Sequence, residues 1–160
     1  MPRTCFFVAA FLSLIAVWLF AGCAAEKPAG PAIQGDQAML ADVAENAKYP
    51  DARLAAAEKL RGPYQAVAQA TFADIAKNNH DPSVRQTALQ KLIDQALLAD
   101  VAQNAKYIHE RLAAAERLDE QHQAVAQAVL ADVAKNAHDP RMRQAAVQKL
   151  AELSHVGPEK

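Results

Sequence analysis

The sequence predicts an all-α protein, a solenoid-like array of four stacked helical hairpins with about eight helices. Three observations carry that expectation. First, the chain repeats itself: "LADVAENAKYPDARLAAAEKL" begins at Leu40, "FADIAKNNHDPSVRQTALQKL" at Phe72, "LADVAQNAKYIHERLAAAERL" at Leu98 and "LADVAKNAHDPRMRQAAVQKL" at Leu130. Second, apolar residues inside each copy recur at i, i+3, i+4 and i+7, the signature of one buried stripe per helix. Third, no segment alternates polar and apolar residues with period two, so no sheet is expected.

"MPRTCFFVAAFLSLIAVWLFAGC" opens with one Arg, continues as an apolar run and closes on small residues before a Cys. That layout is a secretory signal, to be set aside before fold reasoning. Its last residues, "LFAGC", resemble the lipobox of bacterial lipoproteins, which assigns residues 1–22 to a lipoprotein signal peptide. What that resemblance implies is a lipidated, amino-terminal Cys23, and cysteine arithmetic agrees: Cys5 is removed with the signal, leaving Cys23 as the sole mature thiol. Ala24 is not the Asp that retains such proteins at the inner membrane, so the implied location is the bacterial cell envelope, at the outer membrane and facing the periplasm. The uncharged stretch 4–25 is also long enough to span a bilayer, which leaves an uncleaved anchor as the alternative. Residues 23–35, with Pro28, Pro31 and two glycines, read as the lipidated Cys and a flexible tether. The repeat domain occupies 36–155, and 156–160 form a tail.

Within the repeat domain, residues 40–97 align without gaps on 98–155 with about 36 identities in 58 positions, so a two-repeat unit has been duplicated. In the first helix of each copy Leu40, Val43, Ala44 and Ala47 share a face, as do Leu98, Val101, Ala102, Ala105 and Leu130, Val133, Ala134, Ala137. In the second helix Arg85, Ala88, Leu89 and Leu92 do the same, matched by Arg143, Ala146, Val147 and Leu150. Ala at the facing positions permits close helix approach, and Ala, Leu, Gln, Glu and Lys supply high helicity. A hairpin this short cannot bury its stripe alone and must stack on its neighbours.

"HDPSVRQTALQKL" from His80 returns as "HDPRMRQAAVQKL" from His138. Imidazole beside carboxylate is the material of proton transfer or metal ligation. Here Asp81 and Asp139 precede Pro82 and Pro140, the arrangement of an N-cap followed by a first-turn proline. The motif is therefore read as the start of a helix, with His80 and His138 as turn residues. The pattern Asp-Pro-x-x-Arg-x-x-Ala-x-x-x-Leu, complete in the second and fourth copies, resembles the short bacterial HEAT-like repeats. Copies one and three depart from it, with Tyr49 and Tyr107 in place of the Asp and Ile108 in place of the Pro. The resemblance implies a right-handed α-solenoid of antiparallel helix pairs.

Two further residue types recur in all four copies. Asn46, Asn78, Asn104 and Asn136 end the first helices, where Asn suits the left-handed backbone of a helix exit. Arg53, Arg85, Arg111 and Arg143 lie on the apolar stripe of the second helices, where a buried charge needs a partner. The free carbonyls at the end of the paired first helix meet that need. Asp42, Asp74, Asp100 and Asp132 also recur, about 160° from the stripe centre, and are expected on a solvated face.

The formal net charge of −1 and the absence of a Lys/Arg block exclude a nucleic-acid grip. HEAT-like deoxyhypusine hydroxylases bind two irons through several His-Glu pairs, whereas this chain has one, His109 and Glu110. No Ser-His-Asp set, Cys-His pair or phosphate loop is present. No catalytic residue, cofactor, metal or small-molecule substrate is assigned. The expectation is a non-enzymatic, membrane-anchored protein-interaction or scaffold module with an unidentified protein partner. The alternative is a metal-handling lipoprotein using His80, His138, His109 and His122. The surface offered to a partner comprises Leu54, Glu58, Gln86, Gln90, Leu112, Glu116, Gln144 and Gln148 on the second helices.

Overall fold

The computed structural model describes residues 31 to 155, so the signal, Cys23, most of the tether and the tail lie outside the described residues. The described chain is all-helical: α1 (Pro31–Asn46), α2 (Pro50–Ala57), α3 (Gln65–Asn78), α4 (Pro82–Lys91), α5 (Gln95–Asn104), α6 (Ile108–Ala115), α7 (Gln123–Asn136) and α8 (Pro140–His155). Single 3-10 turns, Gly62–Tyr64 and Glu120–His122, lead into α3 and α7, and no strand occurs among the described residues. Residues 31–35, read from the sequence as tether, belong to α1.

Each hairpin packs on itself: α1 on α2, α3 on α4, α5 on α6 and α7 on α8. The odd helices then stack in sequence as one row and the even helices as another. A single apolar cluster runs between the rows, and Leu60, Leu92, Leu98, Leu130, Val101 and Val133 are its largest fully buried members. Each such side chain contributes about 1.5 to 3 kcal/mol relative to exposure. The remaining core positions are mostly alanine, including Ala44, Ala68, Ala76, Ala88, Ala102, Ala114 and Ala146, which lets neighbouring backbones come close.

Two stripe residues depart from the sequence expectation. Val43 is 40% exposed and Val147 is 55% exposed, whereas Val101 and Leu89, at equivalent positions, are 0% and 5% exposed. Val43 stands in the first hairpin and Val147 in the last. Each has the apolar side chain that an adjacent hairpin would cover, and the described chain supplies none there.

The turns explain where helices stop. After α2 the chain passes through Gly62, whose φ of +58° is the left-handed conformation that suits glycine. Arg61 Nη1 donates to the carbonyls of Glu58 at 2.6 Å and Leu60 at 2.7 Å, satisfying groups the helix end leaves open. A glutamine column three residues before each stripe leucine or phenylalanine closes the three turns between hairpins. Gln37 Oε1 accepts from Arg61 N at 2.7 Å, Gln69 Oε1 from Ile93 N at 2.8 Å and Asp94 N at 3.1 Å, and Gln95 Oε1 from Asp119 N at 3.0 Å. Gln127, the fourth member, faces no such turn because α8 continues to His155. The sequence shows this column plainly once the copies are aligned, but only the fold reveals that its members staple consecutive hairpins.

Candidate functional site

The polar chemistry of the described residues concentrates along the turns. The four stripe arginines all bond backbone carbonyls beside their own turn. Arg53 Nε donates to Ala44 O at 2.9 Å and Arg111 Nε to Ala102 O at 3.2 Å. Arg85 Nη1 donates to Asn79 O and His80 O, both at 3.0 Å, and Arg143 Nη1 to Ala137 O at 2.8 Å and His138 O at 2.9 Å. Carbonyls at a helix exit carry partial negative charge, which a guanidinium both neutralises and hydrogen-bonds.

Three of the four recurring aspartates correct the expectation of a solvated face, while Asp42, in the first hairpin, is exposed as expected. Arg53 Nη1 lies 2.8 Å from Asp74 Oδ2, Lys77 Nζ 2.6 Å from Asp100 Oδ2, and Arg111 Nη2 2.8 Å from Asp132 Oδ2. Each bridge joins one hairpin to the next. A helical wheel measures an angle from the helix's own apolar stripe and carries no information about which neighbouring hairpin stands on that side. The asparagines are corrected with them. The residues just beyond α3, α5 and α7 are extended, with ψ between 133° and 146°, so no left-handed exit is used. Instead each Asn Nδ2 donates to Oδ1 of the Asp four residues earlier: Asn46 to Asp42 at 2.8 Å, Asn78 to Asp74 at 2.9 Å, and Asn104 to Asp100 and Asn136 to Asp132 at 2.7 Å. At Asp74, Asp100 and Asp132 the Asn holds one carboxylate oxygen while the cation of the preceding hairpin takes the other. Lys77 first, then Asn104, holds the Asp100 carboxyl below its ordinary 3.8, and Asn136 first, then Arg111, does so for Asp132.

Asp81 and Asp139 stand at the starts of α4 and α8. Asp81 Oδ1 accepts from Ser83 N and Ser83 Oγ, both at 2.8 Å, and Asp139 Oδ1 accepts from Arg141 N at 2.8 Å. The Ser83 hydroxyl, with the Ser83 amide behind it, lowers the Asp81 carboxyl below its ordinary value. The histidines are dispersed. His80 Nδ1 is 3.2 Å from the Tyr107 hydroxyl, His122 Nδ1 is 2.7 Å from Asp119 Oδ1, and His138 is exposed. Among the described residues no three His, Cys, Asp or Glu side chains gather as a metal would require.

One group was missed by sequence reasoning. Arg85 and Glu110 form an ion pair between α4 and α6, Nε to Oε1 at 2.8 Å, with side chains only 7% and 6% exposed. The Arg85 guanidinium also lies 3.7 Å from the centre of the Tyr107 ring, a cation-π contact. The Nε to Oε1 approach is off hydrogen-bond alignment, and Glu110 Oε2 has no hydrogen-bond partner, so the pair is held by charge and burial more than by directed bonds. It floors a cleft of about 370 Å³ lined by Pro82, Arg85, Gln86, Leu89, His109, Glu110 and Ala113. The signal was present in the aligned copies. The residue before each recurring arginine is Ala52, Val84, Glu110 and Met142, so a single acid stands in an apolar column. Chemically the cleft offers a neutralised ion pair, an imidazole and an amide.

The fold and the turns together define an all-helical repeat protein whose consecutive hairpins are tied by a ladder of cation, aspartate and asparagine. Comparison with protein-family models, with curated proteins and with solved structures returns no match. Among the described residues no helix is long and apolar enough to cross a membrane. Cys23 lies outside the described residues.

Proposed function

We propose that this chain is a right-handed α-solenoid of four HEAT-like hairpins. Lipid on Cys23 holds it in the bacterial cell envelope, at the outer membrane and facing the periplasm, where it serves as a non-catalytic protein-interaction scaffold. The observation that supports the reading is the even row. Glu58, Gln86, Gln90, Glu116, Gln144 and Gln148 are all exposed and recur in register along the stacked α2, α4, α6 and α8. Repeat arrays bind through extended surfaces of this kind, made of similar side chains at a constant spacing. The surface is narrower in apolar content than the sequence implied. Leu54 is half-buried and Leu112 is 6% exposed, because both pack against the apolar cluster between the rows. Contact there is polar, suited to a partner that supplies hydrogen-bonding groups.

Two measurements test the two halves of the proposal. For the anchor, Cys23→Ala abolishes metabolic lipid labelling and leaves chain of precursor length, and labelling that persists overturns it. For the scaffold, photoreactive residues placed at Gln86 and Gln144 yield specific adducts in envelope preparations, while one at the exposed odd-row position Gln103 does not. Equal adduct patterns from both rows refute the even row as the binding face.

A further inference from the structure

The junction between the second and third hairpins is an internal interface whose two halves recur at the two ends of the described array. On the α3–α4 side it presents Lys77, His80 and Arg85, and on the α5–α6 side Asp100, Lys106 and Tyr107. Lys77 Nζ meets Asp100 at 2.6 Å, the Lys106 amide donates to Lys77 O at 3.1 Å, His80 Nδ1 lies 3.2 Å from the Tyr107 hydroxyl, and the Arg85 guanidinium covers the Tyr107 ring.

The duplication places the same side chains at both ends. The equivalents of Lys77, His80 and Arg85 are Lys135, His138 and Arg143, on the α7–α8 face, and those of Asp100, Lys106 and Tyr107 are Asp42, Lys48 and Tyr49, on the α1–α2 face. Arg143 is already set in the pose of Arg85, bonded to the carbonyls of Ala137 and His138 as Arg85 is to those of Asn79 and His80. Tyr49 is 66% exposed, and Asp42, Lys48, Lys135 and His138 are exposed. Apolar residues accompany them, with Met39 at 64% and Val43 at 40% on one end and Val147 at 55% on the other.

We propose that a second copy of this chain docks head to tail, the α7–α8 face of one copy against the α1–α2 face of the next, reproducing the internal junction. Lys135 then pairs with Asp42 of the next copy, and Arg143 stacks on its Tyr49. One element is missing: Ala52 stands where Glu110 stands inside the chain, so no buried ion pair forms between copies. The contact is accordingly weaker than the internal junction and reversible. Because it joins two different surfaces, it extends into rings or open filaments and does not stop at a dimer. The inference supplies a partner for the scaffold but rests on the duplicated end faces, not on the even row. Loss of the even-row adducts leaves it standing, and its failure leaves those adducts unexplained by self-contact.

The test is sedimentation velocity of the full chain in detergent over a wide concentration range, with helical content followed by circular dichroism. The parent chain gives species larger than one chain that grow with concentration. Lys135→Glu and Asp42→Lys each shift the association midpoint by about tenfold or more, since like charges then oppose each other across the contact. An equimolar mixture of the two variants restores association, because each carries the charge that the other now needs. Val147→Asp, which alters an exposed residue at one end only, weakens association without that rescue. A parent chain that stays monomeric, as it would if its own amino-terminal segment covered the α1–α2 face, overturns the proposal. So does association that the charge reversals leave unchanged or that the mixture fails to restore.

Discussion

Replacing Arg85 and Glu110 by methionine, singly and together, isolates what the buried pair contributes. Both side chains are less than a tenth exposed and 2.8 Å apart. Arg85→Met leaves the Glu110 carboxylate buried beside an apolar group with Oε2 already lacking a partner, and breaking a buried pair from one side costs about 3 to 5 kcal/mol. For a domain of about this size the unfolding entropy is roughly 0.25 kcal/mol per degree, so Tm falls by about 10 to 20 °C. Glu110→Met is milder. Arg85 keeps the carbonyls of Asn79 and His80 and the Tyr107 ring, and the loss is about 1 to 2 kcal/mol, that of one charged contact. In the double variant no charge is stranded and two apolar side chains meet across the cleft, so it is more stable than Arg85→Met alone by about 2 kcal/mol or more. Urea unfolding followed at 222 nm, with Tm measured in parallel, gives the three differences. A double variant whose loss equals the sum of the single losses shows that the two side chains are uncoupled, and the reasoning fails.

Arg111→Leu removes bonds to Ala102 O and to Asp132 and costs about 1 to 3 kcal/mol. Arg143→Leu, which removes carbonyl bonds alone, costs less, and equal losses in urea melts contradict the ranking. Acid sensitivity follows from Asp100 and Asp132, whose carboxyls are held below 3.8 in the folded chain by Lys77 and Asn104, and by Asn136 and Arg111. A depressed folded value stabilises above the unfolded value and is lost as pH falls through the folded one, so stability is level near neutrality and declines below about pH 4. Asp100→Asn with Asp132→Asn lowers stability at pH 7 and flattens the acid decline, and parallel curves for parent and variant rule this out. At the α4 start, Asp81→Ala lowers Tm while Asp81→Asn recovers most of the loss, because capping needs an acceptor oxygen and not a charge. An Asn variant as unstable as the Ala variant points to the ionised carboxylate instead.

What the sequence determined by itself was local. Period 3.6 in the apolar residues placed the helices, Asp-Pro at Asp81 and Asp139 placed two helix starts, and the stripe arginines pointed to carbonyls a few residues away in the same turn. These depend on neighbours close in the chain, and a helix is hydrogen-bonded over only four residues. Tertiary structure decided whatever depends on which hairpin stands beside which. Asp74, Asp100 and Asp132 are on solvated faces of their own helices and become paired only when the preceding hairpin brings a cation to them. Glu110 resembles a surface acid until α4 covers it, and Leu112 an accessible contact until it packs into the cluster between the rows. Val43 and Val147 carry the same pattern as their buried counterparts and differ only in standing at the ends of the described array. Burial is a property of the neighbour as much as of the residue, and a repeated sequence is silent on where its stacking stops.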